Sequence, residues 1–266
     1  MIKKIFILII FNCISHYSFS QSKKENNWGI SFSLNSSSAQ VGKPEEACWA
    51  YAKLNFFQIG KITDNSISLS VIPYYSINDD ILIRVEFGVT NISLKHYYES
   101  PTKSLSVTIR DQIIISQSIE QNIYRYIPGI QWNFIKKKIL ESYGGITLNY
   151  LQYKDMTYHN LYEVYDLSTD TLNFYAKDKA HANGGNAVGL GAFVGFKIHF
   201  LKCINAGAEF SFATLYYNIG GEFSSETEKQ NIPNPPIYDA GSFPASGYEG
   251  FQFTKVIPSL NIGFSF

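Results

Sequence analysis

Histidine, serine and acidic residues are the side chains of this sequence that could carry catalysis. Of its five histidines, the strand pattern places His96, His159 and His181 in loops, and His199 faces the interior of the fold. No arrangement of serine and acid around them predicts a catalytic triad. GxSxG, HExxH and glycine-rich phosphate-binding motifs do not occur, and the histidines and cysteines show no metal-ligand spacing. The sequence therefore predicts no catalytic residue, no metal site and no cofactor.

A second group of polar residues alternates with apolar ones and is predicted to face inward from the strands. Unpaired buried charge is costly, so we expect Arg84, Glu86 and Glu209 to form a buried ion-pair cluster near mid-depth. A plug of paired charges and a gated conduction path are both compatible with such a cluster. The predicted interior polar network comprises Arg84, Glu86, Gln131, Lys197, Glu209 and Lys255.

The elements that position these residues are strands, and the clearest is the last stretch, FQFTKVIPSLNIGFSF (251–266). From Val256 onward every second residue is apolar, and the residues between them are mostly small or polar. A period of two predicts a strand with one face in an apolar medium and the other in a polar interior. Similar stretches precede it at 28–34, 65–75, 81–90, 124–134, 140–150, 188–200 and 204–212.

The connections between these eight strands alternate between short turns, such as Asn78-Asp79, and four long loops. That asymmetry is typical of barrels with short periplasmic turns and long outer loops. The sequence therefore predicts an all-β fold, an eight-stranded antiparallel transmembrane β-barrel with up-and-down meander topology. Residues 105–118 are β-prone and could extend a hairpin beyond the membrane. Three prolines inside strands predict bulges near the rims: Pro73, Pro128 and Pro258.

The first twenty residues have the features of a secretory signal peptide, with Lys3 and Lys4 before a short apolar run. We therefore divide the chain into a signal peptide, 1–20, and a barrel domain, 21–266. Basic and acidic residues balance at 22 each, so no nucleic acid or other polyanionic partner is implied. Cys48 and Cys203 would lie at opposite ends of the barrel, and we expect both to be unpaired.

Aromatic residues are abundant, at 16% of the chain. Many map to the two ends of the predicted strands, where they would form belts at the membrane interfaces. Others fall in the long loops, whose tyrosine- and asparagine-rich composition suits adaptable contact with a partner. Packing of these aromatics against one another is the alternative. The candidate contact residues are Trp49, Tyr97, Tyr98 and Tyr162.

The alternating final strand with its terminal Phe266 resembles the closing strand of bacterial outer-membrane β-barrels. The chain as a whole resembles the small outer-membrane barrels of the Bacteroidetes, with OmpA/OmpX-like architecture. The resemblance implies residence in outer-membrane lipid and recognition by the barrel-assembly machinery during biogenesis. It makes Leu260, Ile262, Phe264 and Phe266 the expected assembly signal.

The resemblance leaves the activity open. A structural or surface-interaction barrel with a filled lumen is the expectation, with a possible extracellular or secretion-system protein partner. The alternatives are an enzyme that modifies outer-membrane lipid and an accessory barrel of a secretion system.

Overall fold

The computed structural model describes residues 27–35, 61–103, 110–137, 139–166, 169, 171–201, 203–244 and 247–266. The predicted signal peptide and Cys48 lie outside these ranges, so cleavage and the state of both cysteines stay predictions. The described residues contain no helix that is long and apolar enough to cross a membrane. They form fourteen strands: β1 (Trp28–Asn35), β2 (Lys61–Asp64), β3 (Ile67–Ser76), β4 (Ile81–Lys103), β5 (Arg110–Lys136), β6 (Leu140–Tyr153), β7 (Met156–Asp166), β8 (Thr171–Ala182), β9 (Gly185–Leu201), β10 (Ile204–Ile219), β11 (Glu222–Asn231), β12 (Ile237–Pro244), β13 (Tyr248–Phe253) and β14 (Ile257–Ser265).

Eight of these strands close into a ring. Their order is β1, β3, β4, β5, β6, β9, β10 and β14, and every neighbouring pair is antiparallel. The last strand pairs with the first, with Gly29 opposite Ser265 and Asn35 opposite Ser259. Consecutive ring strands are neighbours in space, so the connectivity is a meander. The predicted eight-stranded antiparallel barrel is confirmed.

Short turns join the ring strands at one end, as predicted. In the turn between β3 and β4, Asn78 Oδ1 accepts hydrogen bonds from the N–H groups of Asp80 (2.9 Å) and Ile81 (2.8 Å). A side-chain acceptor of this kind is the reason that asparagine favours turns. The other two short connections join β5 to β6 and β9 to β10.

The long connections at the opposite end are largely strand, so the prediction of four long loops is wrong for two of them. β7 and β8 occupy the predicted loop 154–185, and β11, β12 and β13 occupy the predicted loop 218–250. β7 continues the line of β6, because β5 pairs first with one and then with the other. β8 continues into β9, and β10 into β11, in the same way.

The barrel wall therefore rises beyond the membrane as what we call the outer sheet. It consists of β2, residues 91–103 of β4, residues 110–122 of β5, β7, β8, β11 and β12. The predicted extension of the hairpin at 105–118 is confirmed from Arg110 onward. The other outer strands show no clear period of two because water, and not lipid, bathes their exterior. β7, for example, reads MTYHNLYEVYD, with polar residues on both faces.

Glycines mark the level at which the barrel passes into the outer sheet. Gly220 and Gly221 have φ angles of 92° and 123°, which side chains with a Cβ avoid. A Cβ on Gly184 would lie 2.1 Å from the carbonyl oxygen of Tyr153. Glycine at these breaks therefore lets neighbouring strands keep their close pairing while the wall changes from barrel to sheet.

The exterior of the ring is a continuous apolar band. On β4 the outward residues Ile83, Phe87 and Val89 are 44–50% exposed, and the inward residues between them are buried. Above this band Asn91 donates a hydrogen bond to Asn122 Oδ1 at 3.0 Å, where the exterior becomes polar. The apolar part of β4 thus runs from Ile81 to Thr90, which matches the roughly 9–11 residues that a tilted strand needs to cross a bilayer.

Aromatic side chains border this band at both ends. Trp28 and Tyr75 pack together at the turn end, with ring centroids 4.7 Å apart, and Tyr216 and Phe251 pack at the outer end, 5.0 Å apart. Such belts are typical of membrane interfaces. The sequence also predicts Tyr143 in the periplasmic belt and Tyr153 in the outer belt. Both predictions are wrong, because these tyrosines are only 4% and 6% exposed and face the interior.

The strand prolines are accommodated without bulges, contrary to expectation. Pairing between β3 and β4 is interrupted at Ile72-Pro73, and pairing between β5 and β6 at Ile127-Pro128. The register is the same on both sides of each interruption. Pro258 keeps its place opposite Phe210 in the β10–β14 ladder. The absence of a backbone N–H at Pro73 and Pro128 therefore interrupts the pairing locally but does not change the register of the strand.

Candidate functional site: the barrel interior and the outer sheet

An ion pair spans the barrel at mid-depth. Arg84 Nη1 lies 2.6 Å from Glu209 Oε2, and Nη2 lies 2.9 Å from Oε1. The two side chains are each 6% exposed and come from β4 and β10, which are four places apart in the ring of eight. The paired guanidinium and carboxylate therefore join opposite sides of the wall.

A second pair lies beside the first on its outer side. Arg125 Nη1 is 3.3 Å from Glu86 Oε1, and its Nη2 donates to the carbonyl oxygen of Leu69 at 3.4 Å. Gly88 makes room for this guanidinium, because a Cβ there would lie 2.4 Å from Arg125 Nη2. The inward face of β4 thus contributes both a charged residue, Glu86, and a glycine that leaves room for the Arg125 guanidinium.

Two aromatic rings complete this layer. The guanidinium carbon of Arg84 lies 4.2 Å from the centroid of the Phe193 ring, a cation–π distance. Phe193 also packs on Tyr143, with centroids 6.2 Å apart. The inward glycine Gly145 leaves room for this packing, since a Cβ there would be 2.5 Å from the Phe193 ring.

A third polar cluster lies nearer the turn end. Glu141 binds Lys197 Nζ at 2.9 Å and His199 Nε2 at 3.1 Å. Gln131 is buried and donates a hydrogen bond to Asn133 Oδ1 at 2.8 Å. Lys255 does not join any of these clusters: it is exposed in the connection between β13 and β14. Its assignment to the interior is wrong because the alternation of β14 does not extend back beyond Ile257.

Little space remains among these side chains. Two cavities among the described residues, of about 50 Å³ and 40 Å³, are both lined by Arg84 and Glu209. Each has room for only a few water molecules, at roughly 10–15 Å³ for each. The central ion pair therefore borders both of these small cavities.

Above the charged layer the interior is apolar. Ile92 and Leu94 continue the inward face of β4, and Ala213 and Leu215 that of β10. This apolar layer comprises Ile92, Ile123, Leu151, Tyr153, Ala187, Ala213, Leu215, Tyr217 and Ile219. It continues through Leu94 into a second cluster within the outer sheet, formed by Ile119, Met156, Tyr158, Ala180, Ala182 and Phe223.

A row of polar contacts ties the outer strands together on their inward face. Gln117 Nε2 donates to the Tyr158 hydroxyl at 3.0 Å and to Asn160 Oδ1 at 3.2 Å. Asn160 Nδ2 in turn donates to Asp178 Oδ2 at 2.9 Å. Burial, together with the nearby charge of Asp178, raises the pKa of Tyr158 to about 12. These contacts cross β5, β7 and β8 and hold the sheet as one body.

The candidate contact residues lie on both faces of the outer sheet. Tyr97 is 47% exposed on the exterior and donates a hydrogen bond to Glu99 Oε2 at 2.9 Å, which raises the pKa of its hydroxyl. Tyr98 points to the opposite face and is half-buried. Tyr162, also half-buried, packs edge-on against Phe174 with centroids 6.0 Å apart. Trp49 lies outside the described residues.

The histidines do not assemble a site. His96, His159 and His181 belong to strands β4, β7 and β8, so their assignment to loops is wrong. His96 is buried at 1% exposure, and His181 Nδ1 is 3.4 Å from Thr157 Oγ1. Among the described residues no three histidine, cysteine or acidic side chains could hold a metal ion together.

Four residues that line the interior are missing from the polar network predicted from the sequence. Arg125 and Glu141 alternate with apolar neighbours as Arg84 does, so parity alone could have identified them. Tyr143 and Phe193 occupy inward positions in the same alternation, but an aromatic residue in a strand suits a lipid-facing position equally well, so their residue type does not identify them. The C-terminal residues lie on the exterior as expected from their alternation, with Leu260 65% and Phe266 45% exposed.

No protein-family model and no curated protein matches this chain. Several solved structures resemble it in fold. The outer membrane protein OprG from Pseudomonas aeruginosa has 12% identity and a TM-score of 0.38, with 91% of this chain and 97% of OprG covered. Neisserial surface protein A has 11% identity and a TM-score of 0.36, with 91% and 98% covered. A major outer membrane protein from Thermus thermophilus has 10% identity and a TM-score of 0.37, with 90% and 99% covered.

The assignment of this chain to a membrane is based on its own geometry. The ring leaves no open edge at membrane depth, so the backbone groups of the wall are paired within the barrel. Its exterior there is apolar over the height of a bilayer and bordered by aromatic rings. An even number of antiparallel strands with short turns at one end is typical of bacterial outer-membrane barrels. The chain is an integral outer-membrane β-barrel protein.

Proposed function

We propose that this protein is a barrel with a filled lumen that contacts partners at the cell surface through its outer sheet. The observation that carries the proposal is that the interior is filled by two layers, one charged and one apolar. A lumen-spanning ion pair, Arg84–Glu209, lies below an apolar layer that begins at Ile92 and Leu215. Solutes have no continuous polar route past an apolar layer of this kind, which leaves the outer sheet as the accessible surface.

The outer sheet suits a role in contact. Its strands are hydrogen-bonded to one another and braced by the Gln117–Asn160–Asp178 row, so little conformational entropy is lost on binding. Its exterior presents tyrosine, serine and asparagine, which are enriched in protein-binding surfaces, interspersed with lysine and glutamate. Tyr97 on β4 and Tyr238 on β12 are exposed examples.

The proposal also covers the export of the protein and its assembly into the outer membrane. Residues 1–20 would direct export, and the exterior row Leu260, Ile262, Phe264 and Phe266 would serve as the signal to the barrel-assembly machinery. A small-barrel type like that of the Bacteroidetes fits this organisation. The proposal assigns no catalytic step, so overexpression should leave the mass spectrum of lipid A unchanged; a new acylation state would contradict that part.

Site-specific photo-cross-linking in living cells tests the contact role. A photoreactive amino acid in place of Tyr97, on the exterior of the outer sheet, should yield discrete protein adducts. The matched control is Tyr126, which is similarly exposed (46% against 47%) but lies on the lipid-facing wall. The photoreactive amino acid in place of Tyr126 should yield lipid adducts alone. Absence of protein adducts at Tyr97, or the same adducts at both positions, would overturn the proposal.

A further inference from the structure

One carboxylate on the exterior of the outer sheet is held between two tyrosines. Glu228 lies on β11, directly opposite Tyr238 of β12 and diagonal to Tyr175 of β8. The Tyr175 hydroxyl donates to Glu228 Oε1 at 2.7 Å, and the Tyr238 hydroxyl lies 3.4 Å from the same oxygen. The hydrogen bond to the carboxylate raises the pKa of Tyr175, so the Tyr175 hydroxyl is a neutral donor at ordinary pH.

The second oxygen of Glu228 is open. Within the described part of the chain Oε2 accepts no hydrogen bond, and Glu228 takes part in no ion pair. Lys177 stands opposite it in the ladder between β8 and β11, but no ion pair joins them within 4.0 Å. Glu99 differs from Glu228 in this respect, because Tyr97 occupies its Oε2 and Gln112 its Oε1.

The site is accessible from the medium. Tyr238 is 71% exposed, and Glu228 and Tyr175 are half-exposed on the outward face. They lie well above the lipid-facing band, beyond the glycine break at Gly220 and Gly221 from which β11 starts. A ligand therefore meets a fixed anionic oxygen with an aromatic ring on either side.

A guanidinium group matches this arrangement better than other cations do. It can donate to the open carboxylate oxygen while its planar face lies on a tyrosine ring, which combines charge-assisted hydrogen bonding with a cation–π contact. A lysine ammonium can supply the charge but not the flat stacking surface. Arginine on a folded partner is also the side chain most often enriched with tyrosine in binding hot spots.

We propose that Tyr175, Glu228 and Tyr238 form a docking site for an arginine side chain of a protein partner. The site deepens the proposed function, since it names the chemistry of a partner that the outer sheet would contact. It also explains why two tyrosines on different strands converge on one oxygen: they fix the orientation of the carboxylate and leave its other oxygen facing outward.

Peptide titration onto the full-length protein in nanodiscs tests the site. The probe is a fluorescent glycine-serine peptide that carries four arginines, compared with its lysine and citrulline counterparts by anisotropy. The arginine peptide should bind best, the lysine peptide more weakly and the uncharged citrulline peptide not at all. Binding of the arginine peptide should weaken as salt is raised from about 50 mM to about 500 mM, because the pair is exposed to screening.

The chain supplies a matched control for the carboxylate. Glu226 lies two residues earlier on the same outward face of β11, opposite Lys179, and within the described ranges no tyrosine hydroxyl forms a hydrogen bond with it. Glu228→Gln should weaken the arginine peptide by about fivefold, the scale of an exposed charge pair, and Glu226→Gln by less than about twofold. Tyr238→Ser should reduce the preference for arginine over lysine, because it removes one of the two aromatic faces and leaves the charge.

Three outcomes would overturn the site: no binding of the arginine peptide at millimolar concentration, equal effects of the two glutamine variants, or a preference for arginine that is undiminished by Tyr238→Ser. Any of these would leave the wider contact role standing if the cross-links at Tyr97 still form. Loss of those cross-links with intact peptide binding would instead remove the wider role and keep the arginine site.

Discussion

Arg84 and Glu209 meet across the full width of the barrel, with two nitrogen–oxygen distances of 2.6 and 2.9 Å between opposite strands. Both side chains are almost fully removed from solvent. Burial of two charges is costly, and the pair recovers that cost only while both partners are present. The wall of the barrel is thus coupled through its centre as well as around its circumference.

Removal of one partner should therefore be more damaging than removal of both. Glu209→Gln leaves Arg84 charged and buried, and should lower the free energy of unfolding by about 3–5 kcal/mol. The double variant Arg84→Met/Glu209→Leu removes both charges and should be as stable as the wild type or more so. Urea unfolding of the refolded protein in detergent measures all three. A double variant less stable than Glu209→Gln would contradict this account, and Glu226→Gln serves as the exposed control.

The position of the membrane can be tested by charge insertion. Val194 is 51% exposed near the middle of the lipid-facing face of β9, and Val194→Arg should cost about 2–4 kcal/mol in lipid vesicles. Ser116, which is exposed on the exterior of the outer sheet, meets water in the same account. Ser116→Arg should change stability by less than about 0.5 kcal/mol. Equal losses of stability in Val194→Arg and Ser116→Arg would show that the lipid-facing band has been assigned to the wrong residues.

Tyr158 should give the outer sheet a stability that depends on high pH. Its pKa is raised from 10.0 to about 12 in the folded protein, chiefly by burial. Below about pH 10 the phenol is neutral in both states and its contribution is complete. Between about pH 10 and 12 the unfolded chain ionises first, so stability falls as pH rises.

Ultraviolet absorbance of tyrosinate measures this titration directly. The wild type minus Tyr158→Phe difference should show one phenol that ionises near pH 12, and the variant should lose less stability across that interval. Tyr126→Phe, on the lipid-facing wall, provides the control for general loss of a tyrosine. A difference spectrum that titrates near pH 10 would contradict the buried environment.

Phe266 tests the proposed assembly signal. Its backbone N–H donates to the carbonyl oxygen of Trp28 at 2.8 Å, and its ring lies on the exterior. Phe266→Ala should reduce the amount of heat-modifiable barrel in cells but leave refolding in detergent intact, since the ring contributes to recognition and not to the interior. Phe200→Ala removes another exposed aromatic at the turn end and should assemble normally. Equal assembly of the two variants would remove the special role of the terminus.

The ring strands were predictable because lipid and a polar interior impose opposite requirements on alternate residues. β4 shows this clearly, with Ile83 and Phe87 outside and Arg84 and Glu86 inside. The same parity pointed to Arg84 and Glu209 as interior charges. Their similar depth also predicted a buried ion-pair cluster with Glu86. The sequence did not predict that Glu86 pairs with Arg125, because that choice depends on how the strands are placed in the closed ring.

Apart from the hairpin extension at 105–118, the outer sheet could not be predicted, because its exterior faces water and its interior is mixed. In β11, EFSSETEKQN, only Phe223 is a buried apolar residue, so no apolar period remains. Lys255 shows the opposite error. Its interior position was predicted by extending the alternation of β14 back beyond the first residue of the strand, but the lysine is exposed. The Tyr175–Glu228–Tyr238 site likewise depends on the pairing of β8, β11 and β12, which a search for conventional motifs does not detect.

Single-channel recording in planar bilayers tests the central claim most directly, because the account requires an interior closed by the Arg84–Glu209 pair and the apolar layer above it. Purified wild-type protein should insert and show no steady large conductance. Steady, ohmic channels of uniform size would contradict the filled lumen and, with it, the conclusion that the outer sheet is the working surface.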